Sequence, residues 1–189
     1  MRYIASVAAL SAALALAVCG SGGETQAAPP KPVDAGPACA GADTTPAPDN
    51  LGAMSAAILC LLNDERAGQG LTALRSNRQL RTAATGMATL MVNQQFFGHV
   101  TPSGDDLLAR VRRTGYVHGN WALGENLAWG NGPLATPQAI VDGWMNSSGH
   151  RANILYGRFK DIGIAIRLGA PRADLTGGAT YVTDFGRHN

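Results

Sequence analysis

The segment Ile162-Gly163-Ile164-Ala165-Ile166-Arg167-Leu168 decides the fold class, because large apolar residues alternate in it with small or charged ones. A period of two residues is typical of a β-strand that buries one face. Residues 181–185 repeat the pattern after a glycine-containing connection at 169–178, which predicts a second strand and a hairpin. A third strand is expected at 121–129.

Upstream of the hairpin, the apolar residues recur with the period of amphipathic helices. The first helix is expected at 51–67 and the second after Asn77. The third is expected to start at Ser103 or Gly104, and the fourth at Thr136-Pro137, where a capping residue precedes proline. Helices first and strands last predict an α+β fold, in which helices cover a small antiparallel sheet.

Composition is that of one compact, loop-rich domain. Lys and Arg total 15 and Asp and Glu total 13, so the formal net charge is +2. The basic residues are scattered and do not interleave with aromatic ones, so no nucleic-acid partner is expected. The start of the chain is not globular, and the remaining residues, about 140, suffice for one domain with a buried core.

The N-terminus has the pattern of an export signal. A basic start precedes an apolar run at 4–18, which is too short for a membrane span but has the length of a signal-peptide core. The run ends at Cys19, as in a bacterial lipobox, where the cysteine would be lipidated; Val18 departs from the small residue usual there. Cleavage near Thr25-Gln26-Ala27 is the alternative. Both interpretations place the protein in the periplasm, in the cell envelope or outside the cell.

The two other cysteines, Cys39 and Cys60, are expected to form a disulfide in an oxidising compartment. Its loop of about twenty residues would contribute about 3 kcal/mol in the chain-entropy account. The alternative is a buried thiol at Cys60 and a free Cys39. The chain is therefore divided into a signal peptide with a lipobox at 1–19, a flexible Pro/Gly/Ala-rich tether at 20–49 and a folded domain at 50–189.

Three segments carry side chains capable of chemistry. His99 lies in a Pro/Gly-rich loop between two helices, Glu125 lies among apolar and glycine residues, and His150 follows Ser147 at a helix entrance. A loop histidine is usually exposed or hydrogen-bonded, and a buried glutamate must be paired or solvated. His150 has a further argument, because the dipole of a helix disfavours an imidazolium in its first turn. A neutral imidazole suits metal binding and general-base catalysis.

Six short segments occur in one order along the chain: L-N-D-E-R at 62–66, F-G-H at 97–99, G-E-N-L-A at 124–128, G-H-R-A-N-I-L at 149–155, D-I-G-I-A at 161–165 and T-D-F-G at 183–186. Together they resemble the CAP superfamily of cysteine-rich secretory proteins, venom antigens and plant pathogenesis-related proteins, and its bacterial branch above all. The resemblance implies an α-β-α sandwich over the folded part of the chain.

The resemblance also implies a site. Family members with the full site have two histidines and two glutamates lining a central cavity, and the matching residues here are His99, Glu125 and His150. The segment after Trp144, where the second glutamate is usual, has no carboxylate, so the site is expected to be incomplete. Some members bind zinc or another divalent ion through the two histidines, which makes His99 and His150 the expected metal ligands.

Three functions stay open. The first is an envelope binding module that holds a lipid, a peptidoglycan fragment or a partner protein in a cleft bordered by His99, Glu125 and His150. The second is a structural envelope protein without site chemistry. The third is a metal-assisted peptidase or esterase, in which the histidines hold Zn²⁺ or another divalent ion and Glu125 takes a proton from bound water. The missing carboxylate favours binding over catalysis, and membrane contact is expected only through Cys19.

Overall fold

A computed structural model describes residues 39–188. The predicted signal peptide, the lipidation at Cys19 and the tether up to residue 38 lie outside the described residues. No helix within 39–188 combines the length and the apolarity that a bilayer crossing needs.

The described part contains five α-helices, four β-strands and one short 3-10 helix at Gly132–Ala135. The helices are α1 (Leu51–Ala67), α2 (Arg78–Gln94), α3 (Leu107–Arg113), α4 (Pro137–Met145) and α5 (Ser148–Ile154). The strands are β1 (Arg75–Ser76), β2 (Trp121–Gly130), β3 (Asp161–Leu168) and β4 (Ala179–His188).

Three long strands form the body of the sheet. β4 lies in the centre, and its pairings with β2 and with β3 are both antiparallel, which confirms the predicted hairpin and the antiparallel arrangement. β1 adds a parallel pairing at the outer side of β3, so the complete sheet is mixed. Both β1 residues are exposed and show no apolar alternation, so the sequence pattern could not indicate this strand. β2 is the opposite edge strand.

Helices cover both faces of the sheet, which confirms the α+β class and the α-β-α sandwich. On one face, α1, α4 and α5 pack on β3 and β4 through a large core that includes Met54, Ile58, Leu62, Val141, Trp144, Ile154, Ile162, Ile164, Tyr181 and Phe185. On the other face, α2 packs through Ala84, Met87, Ala88 and Met91 on Leu127, Ala165 and Val182. At Gly163 this helix approaches so closely that a Cβ would lie 2.1 Å from the backbone of Leu80 and Arg81.

The buried Arg66 fixes the position of α5. Its side chain is 0% exposed. It donates hydrogen bonds to four backbone carbonyls, one after α1, one in the last residue of α5 and two after α5: those of Thr72 at 3.0 Å, Ile154 at 2.6 Å, Tyr156 at 3.2 Å and Phe159 at 3.3 Å. The end of α1 therefore holds the end of α5, the helix that carries His150.

The predicted disulfide between Cys39 and Cys60 is present, with the two Cα atoms 5.7 Å apart. It attaches the segment 39–49, the last part of the predicted tether, to α1. The same segment contacts α4, because the amide of Gln138 donates to the carbonyl of Ala42 at 2.9 Å. Residues 39–49 are therefore attached to α1 by the disulfide and to α4 by a backbone hydrogen bond.

Candidate functional site

The site lies at the middle of β2, where the loop between α2 and α3 and the start of α5 meet the strand. Nδ1 of His99, in the loop, donates a hydrogen bond to Oε1 of Glu125 at 2.8 Å. Among the described residues, the His150 ring makes no hydrogen bond with either side chain. The backbone of His150 is nevertheless fixed beside the strand, because Asn126 donates to its carbonyl at 3.1 Å.

An asparagine of α5 holds that helix against β2. The Nδ2 of Asn153 donates to the carbonyl of Glu125 at 3.1 Å and to Oδ1 of Asn126 at 2.9 Å. The first of these bonds gives a backbone carbonyl of the edge strand β2 a partner in α5. Both bonds also set the distance between the strand that carries Glu125 and the helix that carries His150.

Arg110 is the second partner of Glu125. Its Nη2 donates to Oε2 of Glu125, and the side chains of Arg110 and Glu125 are only 6% and 3% exposed. Its Nη1 donates to the carbonyls of His99 at 2.9 Å and Asp105 at 3.2 Å. One guanidinium therefore neutralises the carboxylate and holds the backbone of the histidine loop. Sequence reasoning missed Arg110, although it lies three residues after Leu107 on the apolar stripe of α3.

The loop that presents His99 ends in a tight turn. The amide of Thr101 donates to the carbonyl of Asp105 at 3.0 Å, and Oγ1 of Thr101 accepts from the amide of Asp105 at 3.0 Å. Gly104 has φ +91°, a value that favours glycine. The side chain of Asp106 caps α3 by accepting from the amide of Ala109 at 2.8 Å. The helix therefore begins after Asp106, and the expected start at Ser103 or Gly104 was wrong because this turn uses those residues.

The two histidines are tuned in opposite directions. The hydrogen bond with Glu125 raises the pKa of His99, against smaller opposing effects of burial and of Arg110. Burial lowers the pKa of His150, and the charge of His99 acts in the same direction. The site therefore favours an imidazolium at His99 and a neutral imidazole at His150, the direction that the helix-dipole argument gave for His150.

Asp184 is a second carboxyl group in the site that sequence reasoning did not assign to it. It is the direct cross-strand partner of Glu125 in the β2–β4 ladder and is 0% exposed. Neither carboxyl oxygen has a hydrogen-bond partner in the part of the chain that the structure describes. Burial raises the pKa of Asp184 well above its usual range, the charge of Glu125 adds to the rise, and Arg110 opposes it.

The side chains present offer a metal two imidazoles. Within residues 39–188, the only three His, Cys, Asp or Glu side chains with ligand atoms within 4.8 Å of one another are Cys39, Cys60 and Asp64, and the two sulfurs form the disulfide. The two carboxylate oxygens of Glu125 accept hydrogen bonds, one from His99 and the other from Arg110. A catalytic zinc site usually has three protein ligands. Metal binding by His99 and His150 stays a prediction.

One cavity adjoins His150, and a second lies beside the loop that carries His99. His150 lines a cavity of about 320 Å³ together with apolar side chains of β2, the 3-10 helix and α4, namely Leu127, Ala128, Trp129, Leu134, Ala139, Ile140 and Trp144. Trp144 is held as a fixed wall, because its Nε1 donates to the carbonyl of Leu127 at 3.1 Å. Trp129 also lines a second cavity of about 220 Å³, where Phe97 of the His99 loop meets Pro171, Arg172 and Leu175.

Curated relatives come from Bacillus subtilis. The protein YkwD is 34% identical over 121 residues, which are 64% of this chain and 45% of that protein. The membrane protein YlbC is 32% identical over 111 residues, which are 58% of this chain and 30% of that protein. The chain is thus similar to less than half the length of either relative.

Solved structures show the same fold. An extracellular protein of Bacillus anthracis that contains an SCP domain has a TM-score of 0.58 at 26% identity, over 76% of this chain and 45% of that one. An outer surface protein of Borrelia burgdorferi has a TM-score of 0.57 at 20% identity, over 70% and 90% of the two chains. The sequence profile described as the Cysteine-rich secretory protein family, CAP, matches residues 59–183, which include His99, Glu125 and His150. The chain therefore belongs to the CAP family, in its bacterial branch.

Proposed function

We propose that this chain is an exported CAP-domain protein of the bacterial envelope that binds a ligand in the cleft bordered by His99, Glu125 and His150. The proposal rests on the burial and the two hydrogen bonds of Glu125. Its side chain is 3% exposed, and both oxygens are bonded, one to His99 and one to Arg110. A general base must reach the proton that it removes. Glu125 therefore serves to orient His99, which favours binding over the peptidase or esterase alternative.

The chemistry of the cleft defines the class of ligand. Nδ1 of His99 is hydrogen-bonded to Glu125, so Nε2 is the nitrogen that can contact a ligand. The side chain of His99 is 58% exposed. As an imidazolium, it donates to a carboxylate, a phosphate or a carbonyl oxygen. Phe97 and Val100, which flank His99 in the sequence, are 48% and 52% exposed. The cavity beside His150 is mainly apolar. The ligand is a small amphipathic envelope molecule with an anionic or carbonyl group.

Export is supported by three observations. The first residues have the pattern of a signal peptide, with Cys19 as the expected lipidation site. Disulfides such as Cys39–Cys60 persist in oxidising compartments. The similar structures come from proteins described as extracellular and as an outer surface protein. Lipidation would anchor the domain to a membrane, and cleavage near Ala27 would release it.

A divalent metal would bind this site only weakly, because it would have to displace the proton on Nε2 of His99. His99 and His150 would hold it, and the carboxylate of Glu125 on Nδ1 of His99 is the arrangement that orients a histidine ligand through its second nitrogen. When bound, the ion would supply a positive charge for an anionic ligand group. With two imidazoles from the protein, the affinity should be weak.

The test is a set of titrations of the purified protein with zinc, with soluble muropeptides and with a lysophospholipid. Calorimetry would measure zinc binding, and the fluorescence of Trp129 and Trp144 would report entry into the cavity beside His150. We expect one of the probes to bind and its affinity to fall in His99→Ala and His150→Ala. His118→Ala is the matched control, because His118 lies outside the cleft and should have no effect.

Two outcomes would contradict the proposal. If no probe binds, or if binding is the same in His99→Ala and His150→Ala as in the wild type, the cleft is not the binding site. If the protein hydrolyses peptide or ester substrates and Glu125→Gln abolishes that activity, the hydrolase alternative replaces it. The same variant should lower the pKa of His99 in a binding module, because the charged partner is lost.

A further inference from the structure

The pair formed by Glu125 and Asp184 needs a proton if both residues are to be satisfied. The two residues lie directly opposite each other on neighbouring antiparallel strands, so their side chains share one face of the sheet. Asp184 is fully buried, and both of its oxygens lack a hydrogen-bond donor within residues 39–188. Two ionised carboxylates can only accept hydrogen bonds, and as direct cross-strand neighbours they repel each other.

The surroundings of Asp184 supply one cation. Arg110 of α3 faces both carboxyl groups, but its Nη2 is bonded to Glu125. From β3, the cross-strand partner of Asp184 is Gly163, which has no side chain. Over Gly163 lies the backbone of α2 at Leu80 and Arg81. One guanidinium therefore faces two buried carboxyl groups, and it pairs with the one that also contacts His99.

We propose that Asp184 is a neutral carboxylic acid in the folded protein, and that its hydroxyl donates a hydrogen bond to Glu125. The proton gives a partner to a buried oxygen that otherwise has none. It also leaves one negative charge on the pair, which Arg110 neutralises. Asp184 is thus a positioning residue, because it acts on His99 through Glu125 and does not contact the ligand.

The electrostatics of the site agree with this assignment. Burial is the largest cause that raises the pKa of Asp184, and the negative charge of Glu125 is the second. The raised pKa also gives a sign for stability. An acid whose pKa is higher in the folded than in the unfolded state stabilises the fold fully below its unfolded pKa, and this contribution is lost as the pH rises through the folded pKa.

The direct test is carboxyl-carbon NMR of the protein labelled with ¹³C at aspartate, recorded from about pH 5 to pH 8. We expect the Asp184 resonance, assigned by its loss in Asp184→Asn, to keep the shift of a neutral acid near neutral pH. Asp174 gives the ionised reference, since it is exposed and Arg172 lowers its pKa. A resonance of Asp184 with the shift of the ionised reference would overturn the proposal.

Two variants separate positioning from folding. Asp184→Asn keeps the shape, the neutrality and a donor, so we expect the pKa of His99 to stay within a few tenths of its wild-type value. If Asp184 were ionised, the same change would remove a nearby negative charge and lower the pKa of His99, which would overturn the proposal. Asp184→Ala removes the donor that positions the Glu125 carboxylate, so the pKa of His99 should differ from its wild-type value, and Asp184→Asn should restore it.

The inference concerns the site on which the proposed function rests, but its test follows the proton of Asp184 and not a ligand. The proposal on Asp184 therefore fails only if the carboxyl group is ionised, whatever the cleft binds. The proposed function fails only if no ligand depends on His99 and His150, whatever the protonation of Asp184. If Asp184→Asn does not fold, the labelled wild-type protein still decides the question, with the Asp184 resonance assigned through its bonds to neighbouring backbone nuclei.

Discussion

Replacing Arg110 with methionine should destabilise the protein strongly, although methionine fills much of the same space. The guanidinium is 6% exposed and donates to Glu125, to the carbonyl of His99 at 2.9 Å and to the carbonyl of Asp105 at 3.2 Å. The variant would leave the carboxylate of Glu125 buried without its cation. It would also release the backbone of the loop that presents His99.

The size of the effect follows from burial. Removing one partner of a buried ion pair costs about 3–5 kcal/mol, because the other charge stays without compensation. The carbonyl of His99 lies in an exposed loop, where water replaces the lost donor, so it adds little. We therefore expect a loss of about 3–5 kcal/mol, a large part of the roughly 5–15 kcal/mol that stabilises a typical domain. The loss should shrink at acidic pH, where a proton on Glu125 removes the unpaired charge.

Urea unfolding followed by tryptophan fluorescence measures this loss. Arg113→Met is the matched control on the same helix, because Arg113 pairs with Asp105 at the surface and is 61% exposed. The control should unfold at nearly the same urea concentration as the wild type. A loss below about 1 kcal/mol for Arg110→Met, the range of surface ion pairs, would refute the conclusion that Arg110 and Glu125 form a buried charged pair.

Three further changes test the fold around the site. Arg66→Met removes the donor of four backbone carbonyls, two of them in buried hydrogen bonds, and should cost about 3–5 kcal/mol in urea unfolding; an unchanged midpoint would contradict its role in holding α5. Replacing Cys39 and Cys60 with serine opens a loop with a sequence separation of 21. It should cost about 3 kcal/mol, seen as a lower Tm that no longer responds to reductant. Gly163→Ala places a Cβ against the α2 backbone and should cost about 1–3 kcal/mol or more. Gly86→Ala, in open space on the same helix, should stabilise by about 0.5–1 kcal/mol, and equal effects of the two would argue against the close approach.

Much of the fold could be predicted because its period is regular. The alternation at 162–168 and the apolar stripes of α1, α2 and α4 follow from the burial of one face, and each appears in the structure near its expected bounds. β1 could not be predicted, because its two residues are both exposed and show no alternation of apolar and polar side chains. The start of α3 was misplaced because the turn from Thr101 to Asp105 satisfies its own backbone.

The site was less predictable, because its contacts depend on the tertiary structure. The spacing of His99, Glu125 and His150 did not indicate convergence, and the resemblance to the CAP family supplied it. The place of Asp184 in the site was not predicted, because it depends on the strand register that puts Asp184 opposite Glu125. The available indication was a carboxylate within a strand that is buried on both faces. Arg110 gave a similar indication on its helix, as a cation on an apolar stripe.

The opposite tuning of the two histidines also predicts how stability depends on pH. His99 has a raised pKa, so its contact with Glu125 stabilises the fold fully below the unfolded pKa, and that contribution is lost as the pH rises through the folded pKa. His150 has a lowered pKa, so stability is lost as the pH falls from the unfolded pKa through the folded one. The two losses lie on opposite sides of the ordinary histidine pKa, so the stability that these two residues contribute should be greatest near that pKa and should fall on either side of it.

The most direct test of the central claim, that Glu125 orients a charged His99 beside a neutral His150, is an NMR titration of the imidazole resonances. Assignments would come from His99→Ala and His150→Ala. We expect His99 to titrate above the ordinary histidine pKa and His150 below it, and we expect Glu125→Gln to lower the pKa of His99. Equal or inverted pKa values, or a His99 pKa that does not respond to Glu125→Gln, would contradict the claim.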